Sequence, residues 1–321
     1  MSNEFPVVAI DLGGTKILAA LVTADYKVAA RQLNPTDADR GEEAVVESIT
    51  AGIDRLLEDN NLKVSQIRAI SIAAAAGAID SARGLVTSSP NLPGWQDVPL
   101  RDILAQRFGA DTFLINDASA AALAEHRLGA GRGLKNLVYL TVSTGIGGGI
   151  VLDGRLYLGS DGSAAELGHM TIEESAGKDS CGNYGCLEML ASGNAIAAEA
   201  RRLLRAGKAS LLAGKDIESI TTEDVAKAAA RGDELAQQVI ARAAHYLGVG
   251  LVGIVNIFNP DVVVIGGGVS RIGEPLLEPA RHLVTERAFK LPASRVKIVK
   301  AELGDDAGVL GAALYARGEN K

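Results

Sequence analysis

The sequence predicts a two-domain α/β protein with a cleft between its halves, and three observations carry that expectation. Segments with strand and helix patterning alternate along the chain, which favours helices packed on mostly parallel sheets. Each half opens in the same way, with an apolar strand, a Thr/Gly turn and a returning strand: FPVVAIDLGGTKILAALVT at 5–23 and NLVYLTVSTGIGGGIVL at 136–152. A weak internal repeat of this kind is the mark of a duplicated domain. Finally, 37 glycines and only 4% aromatic residues suit close approach of helices to sheets.

Taken in order, 5–10 reads as a strand, 11–16 as a turn, 17–23 as a second strand and 27–33 as a third. This is a meander, not the strand–loop–helix of a P-loop. Val45, Ile49, Ile53, Leu56 and Leu57 fall at helical spacing, so 42–58 is a helix. A buried strand follows at 67–73, a helix at 100–108, a short strand at 112–115 and an alanine-rich helix at 118–129. The second half repeats the opening with strands at 136–143 and 149–152 around the turn STGIGGG, then a short strand at 155–158. Helices are expected near 188–206, at 222–230 and at 234–258, a strand at 260–265 ending in Gly266, Gly267 and Gly268, and a last helix at 307–316. No low-complexity linker separates the halves, so the hinge is expected within structured chain near Asn116–Ala120. The expected domains are 1–117 and 118–305. The C-terminal helix, 306–317, is expected to pack back onto the first, and the second carries the loop 163–188.

Composition narrows the function. At 321 residues there is room for two domains of ordinary size. Apolar residues at 47% and charged residues at 22% describe a packed globular chain. A net charge of −7 argues against nucleic acid or an anionic membrane as the partner. Met1–Pro6 lacks a basic n-region, so no signal peptide is expected. The most apolar stretch, 247–258, is too short to span a bilayer and contains Asn256. Two cysteines do not make a disulfide framework. A soluble, cytoplasmic enzyme is expected.

Each motif has a bland reading beside a functional one. In DLGGTK, Gly13 and Gly14 allow a tight turn with open N–H groups, Thr15 adds a hydroxyl and Lys16 a charge, while Asp11 could approach a magnesium ion. The bland reading is a hairpin turn. STGIGGG offers Thr144, Gly145 and further N–H groups. It fails as a dinucleotide fingerprint, because Ile150 stands where Gly or Ala is needed and a strand follows, not a helix. In DVVVIGGGVS the three glycines either leave room for a flat ligand or form an ordinary strand–helix turn. In LINDASAAALAE, Asn116 and Asp117 suit a helix N-cap, and Asp117 equally suits a general base. SSPNLPGW contains Asn91 and the sole tryptophan, Trp95, which reads as a core anchor. The stretch SAAELGHMTIEESAGKDSCGNYGCLE at 163–188 gathers Glu166, His169, both cysteines (Cys181 and Cys186) and Glu188. A metal site, a substrate site and a disulfide all stand as readings of it.

As an ordered set, DLGGTK, AGAID with SSPNLPGW, INDASAAALAE, LTVSTGIGGGIVLDGRLYLG, ELGHM, CGNYGCLE and VVVIGGGV resemble the ROK family of sugar kinases along the whole chain. The resemblance implies the actin-like (ribonuclease H-like) two-domain sugar kinase fold, ATP and Mg²⁺ as cofactors, and a homodimer or homotetramer. It is greatest toward the family's glucokinases, which phosphorylate glucose at the 6-hydroxyl, with N-acetylglucosamine and N-acetylmannosamine kinases near by. The family also contains repressors with an N-terminal helix-turn-helix. Here the first strand begins by Phe5, so a non-catalytic sugar-sensing regulator is the lesser expectation. Carried over residue by residue, Asp117 is the catalytic base. Gly77, Asn91, Asn116, Glu166, His169 and Glu188 line the sugar. Gly13, Gly14, Thr15 and Lys16 form one phosphate loop and Thr144 and Gly145 the other. Gly266, Gly267 and Gly268 lie at the adenosine, and Asp11 serves the magnesium.

The chain departs from the family at its zinc motif. Zinc-bearing members carry Cys-x-Cys-Gly-x-x-Gly-Cys-x-Glu with an upstream His. Cys181, Cys186 and His169 match, but Asp179 stands at the first cysteine position. Zinc accepts a carboxylate oxygen, so His169, Asp179, Cys181 and Cys186 form a candidate structural Zn²⁺ site. Two free cysteines packed in the loop are the alternative. Two smaller departures are Ala76, where many members have Pro, and Ser143, where Gly is frequent.

Overall fold

The computed structural model describes residues 4–75, 78–88 and 92–320, with nothing described of the side chains at 78 and 88. The chain divides into two compact units: 1–135 with 149–165 and 302–321, and 136–148 with 166–301.

In the first unit, strands β1 (Val7–Leu12), β2 (Lys16–Val22) and β3 (Val28–Pro35) form the antiparallel meander. β4 (Ala69–Ala74) and β8 (Thr112–Asn116) add in parallel, giving the order β3-β2-β1-β4-β8. β1 and β4 are buried along nearly their whole length and, apart from Asp11 and Ser71, apolar, as strands covered on two sides are. Helix α1 (Glu42–Asp59) buries Val45, Ile49, Ile53, Leu56 and Leu57 and packs against β2 and β3. Short strands β5 (Ala78–Asp80), β6 (Leu85–Ser88) and β7 (Gln96–Val98) form a separate antiparallel sheet that the sequence reading did not anticipate. Helix α2 (Leu100–Phe108) precedes β8, and α3 (Asp117–Arg127) follows it directly. The C-terminal helix, Ala307–Ala316, packs on β1, β4, β8 and α3. Its contact with α3 keeps that helix in the first unit, so the unit runs to Lys135 where the sequence reading placed a boundary after residue 117.

The second sheet has the order β11-β10-β9-β12-β13, from β9 (Leu137–Val142), β10 (Ile146–Leu152), β11 (Arg155–Leu156), β12 (Val262–Gly266) and β13 (Lys297–Lys300). The β9–β10 turn ends at Gly145, and the strand expected from Gly149 begins at Ile146, so that Gly147 and Gly148 are strand residues, not turn residues as expected. The helix expected over 188–206 is two helices, α4 (Leu187–Ala191) and α5 (Gly193–Arg205). They break at Ser192, whose extended backbone and side-chain bond to Ala195 N–H start α5 anew. After α6 (Thr222–Ala230), α7 (Glu234–Phe258) packs against α4, α5, α6 and α8 (Glu274–Arg287), and α9 (Lys290–Arg295) precedes β13. Among the described residues α7 alone is long and apolar enough to cross a membrane, and it exceeds the 247–258 stretch judged too short. Half of its most apolar window is buried inside the protein against those four helices, as in a core helix.

Candidate functional site

In the first unit, β1 delivers Asp11 to its carboxyl end. Burial pushes the Asp11 carboxyl up to about 6; Lys16 opposes the rise and Asp305 adds to it. The C-terminal helix closes on this carboxyl, and a Cβ at Gly308 would stand 2.9 Å from Asp11 Oδ2. The turn that follows is shut by Gly13 N–H donating to Lys16 O at 3.1 Å. Among the described residues the N–H groups of Gly14 and Thr15 meet no acceptor. Asn116 and Asp117 start a helix, as the N-cap reading expects. Asn116 is the N-cap of α3, its Oδ1 accepting from Ser119 N–H at 3.0 Å. Asp117 is the first helical residue, with Oδ1 accepting from Ala118 N–H at 2.8 Å. The cap aims the helix N-terminus, where a carboxylate is electrostatically favoured. Gly77 and Asn91, with Ala76, lie outside the described residues.

In the second unit, the β9–β10 turn is held from behind. Gly193 N–H donates to Ser143 O at 2.7 Å, and Asn194 N–H to Thr144 O at 3.2 Å. Glu188 Oε2 accepts from Ile146 N–H at 2.6 Å. That carboxylate sits where a side chain on residue 145 would be, 2.2 Å from a Cβ built on Gly145. Glu188, expected as a sugar ligand, therefore commits one oxygen to shaping this turn. The N–H groups of Thr144 and Gly145 meet no acceptor among the described residues.

Glu166 and His169 begin and end a single 3-10 turn, His169 N–H donating to Glu166 O at 3.1 Å. His169 Nε2 lies 4.0 Å from Glu166 Oε2. Burial raises the Glu166 carboxyl, against the pull of His169 and with the push of Glu188. The other ring nitrogen, Nδ1, is buried and has no hydrogen-bond partner among the described residues. His169 joins Asp179, Cys181 and Cys186 in a cluster whose ligand atoms all lie within 4.8 Å of one another. The two Sγ atoms are 3.5 Å apart, and Cys181 Sγ is 3.5 Å from Asp179 Oδ2. Ligands about 2.0–2.3 Å from a tetrahedral zinc stand about 3.3–3.8 Å from one another. Both cysteines are free, Cys186 buried and Cys181 exposed. Burial, with Asp179 and Cys181 alongside, pushes the Cys186 thiol up to about 12. An imidazole, two thiols and a carboxylate gathered this closely, with one imidazole nitrogen buried and unbonded, fit zinc, which would take these four residues as ligands.

At the end of β12 the three glycines are not equivalent. A Cβ at Gly266 would stand 2.2 Å from the hydroxyl of buried Tyr139, and one at Gly267 2.4 Å from Val142 O. Only Gly268 has nothing within 4 Å. The room expected over the whole run is confined to one position, because β9 packs against the other two. Tyr139, Gly308 and Asp305 went unnoticed in the sequence, since each acts on a residue far from it in the chain.

Comparison with known proteins agrees in family and fold. The ROK family model matches residues 7–319. A glucokinase of Thermotoga maritima is 40% identical over 97% of this chain and 96% of its own. An N-acetylmannosamine kinase of Escherichia coli O157:H7 is 37% identical over 97% and 98%. The crystal structure of a ROK family glucokinase from Streptomyces griseus in complex with glucose and AMPPNP superposes with a TM-score of 0.84 at 33% identity, covering 98% of this chain and 99% of that one. A match over nearly the full length, with the same actin-like fold, makes this chain a member of the ROK family.

Proposed function

We propose that the chain is an ATP-dependent hexose kinase that phosphorylates glucose at the 6-hydroxyl. The observation that carries the reading is the pair of repeated turns, each presenting two adjacent N–H groups without an acceptor among the described residues, at Gly14 and Thr15 and at Thr144 and Gly145. Such groups suit phosphate oxygens. Asp117 accepts the proton of the sugar hydroxyl as that oxygen bonds to the γ-phosphorus, and the bond to the β-phosphate oxygen breaks to release ADP. Phosphoryl transfer asks chiefly for positioning and charge neutralisation. Bound magnesium would supply part of that neutralisation, with Asp11 at its water shell. Asn116, Glu166, His169 and Glu188 suit a sugar, whose hydroxyls both donate and accept; Gly77 and Asn91 complete the set carried over from the family. Gly266, Gly267 and Gly268 belong to the adenosine end, Gly268 by open space and the other two by shaping it. Zinc, held by His169, Asp179, Cys181 and Cys186, would fix the loop that carries Glu166 and Glu188.

The 37% identity to an N-acetylmannosamine kinase supports a second reading, in which the acceptor is an N-acetylated amino sugar. A coupled assay of ADP release across glucose, N-acetylglucosamine and N-acetylmannosamine separates the two. Turnover with glucose at least tenfold above the others is expected. Preference for an acetamido sugar overturns glucose as substrate, and sugar binding without ADP release overturns the kinase reading in favour of a regulator.

A further inference from the structure

Thr36 follows β3, is fully buried, and was marked by nothing in the sequence. Its Oγ1 donates to Gly13 O at 2.6 Å and its N–H donates to Thr15 O at 3.1 Å. Both carbonyls belong to the first glycine turn. In a trans peptide the C=O of one residue and the N–H of the next point in opposite directions. A bond that holds Gly13 O inward therefore holds Gly14 N–H outward. Two consecutive glycines would otherwise leave this peptide free to rotate, since neither carries a Cβ to bias it.

The second turn uses the same device with different parts. There Ser143 O is held by Gly193 N–H and Thr144 O by Asn194 N–H, and Thr144 N–H and Gly145 N–H have no acceptor among the described residues. The start of α5 performs the task in one half of the repeat. Among the described residues no helix reaches the corresponding carbonyls in the other half, and a single threonine stands in for it with its hydroxyl and its N–H.

We propose that Thr36 is a positioning residue for nucleotide phosphate: by bonding Gly13 O it fixes the Gly13–Gly14 peptide so that Gly14 N–H is presented to a phosphate oxygen of ATP. The inference rests on the kinase reading above and adds to it a residue outside the turn. Both Thr36 donors are committed to carbonyls of the turn, so its effect is confined to the turn it orients.

The test compares Thr36→Val, which keeps shape and N–H but loses the hydroxyl, with Thr36→Ser, which keeps the donor. Loss of a buried hydrogen bond that leaves a carbonyl unpaired corresponds to about a tenfold change. Thr36→Val is expected to raise the KM for Mg·ATP about tenfold, leave the KM for glucose within about twofold, and be rescued by Thr36→Ser. A Thr36→Val enzyme whose KM for Mg·ATP is unchanged, or whose two KM values rise equally, overturns the proposal. A merely structural role would lower the melting temperature and the active fraction while leaving both KM values in place. If the valine variant does not fold, Thr36→Cys, with a weak thiol donor, is expected to give a several-fold rise in the same KM alone; no rise overturns the proposal. Mg·ATP-induced thermal shift keeps this inference apart from the kinase reading. Wild-type protein stabilised by Mg·ATP but turning over no sugar removes the kinase reading, and the valine variant's weaker thermal response still decides the role of Thr36.

Discussion

Replacing Gly145 by alanine tests how the second turn is built. Gly145 is outside the left-handed region of backbone space, so alanine brings no conformational penalty and the effect is steric alone. The new methyl would stand 2.2 Å from Glu188 Oε2 and 3.0 Å from its Cδ. Ordinary contact requires the carboxylate to retreat by about 1 Å. That breaks the 2.6 Å bond from Ile146 N–H, one of the contacts that hold the turn. A hydrogen bond to a charged group is worth about 1.5–3 kcal/mol. At about 1.4 kcal/mol per tenfold, kcat/KM should fall roughly 10- to 100-fold. Because Glu188 also serves the sugar in the proposed reading, the KM values for glucose and Mg·ATP should rise together. Coupled ADP assays with each substrate varied in turn measure both. A Gly145→Ala enzyme within twofold of wild type in kcat/KM would refute the reasoning, since the carboxylate would then be free to move without consequence.

The remaining expectations are more local. Gly268→Ala meets nothing within 4 Å, so its melting temperature should match wild type while the KM for Mg·ATP rises several-fold; an unchanged KM removes Gly268 from the nucleotide site. Asp11 binds its proton more tightly in the folded chain, with a pKa of about 6, than at its ordinary value of 3.8. Its stabilising contribution is therefore present below 3.8 and lost as pH rises through about 6. Asp11→Asn should remove that downward slope from the melting temperature between these values and abolish turnover, and an identical pH profile would show that the carboxyl is not buried as described. Purified protein should carry one zinc per chain by elemental emission, reduced in Asp179→Ala, and a chelator should speed hydrogen exchange over 171–187; metal-free protein with that loop fully protected contradicts the assignment.

How far these features could be read in advance depends on how local their causes are. The paired turns were legible because glycine, threonine and a flanking apolar strand leave a mark within ten residues. The candidate metal cluster was legible for the same reason: His169, Asp179, Cys181 and Cys186 lie on one short loop, and the structure brings their ligand atoms together. Helices α1, α6 and α7 followed their apolar spacing closely. The break at Ser192 did not, because the serine cap and the bonds from Gly193 and Asn194 to the β9–β10 turn outweigh the continuous helical pattern. The filling of Gly266 by Tyr139 could not be seen either, since the two meet only through the parallel pairing of β9 with β12. Thr36 is the sharpest case. A threonine after a strand is unremarked until the turn beneath it is in place, and only then does its hydroxyl acquire a purpose.

The central claim is that Asp117, heading α3 behind its Asn116 cap, takes the proton of a sugar hydroxyl while ATP donates its terminal phosphoryl group. The most direct measurement is ADP release with glucose and Mg·ATP by wild type and Asp117→Ala, beside glucose binding by calorimetry. General base catalysis contributes about 10²–10⁴-fold. The account predicts that the variant binds glucose with near wild-type affinity and turns over at least about a hundredfold more slowly. A variant that binds glucose normally and keeps substantial turnover would contradict it.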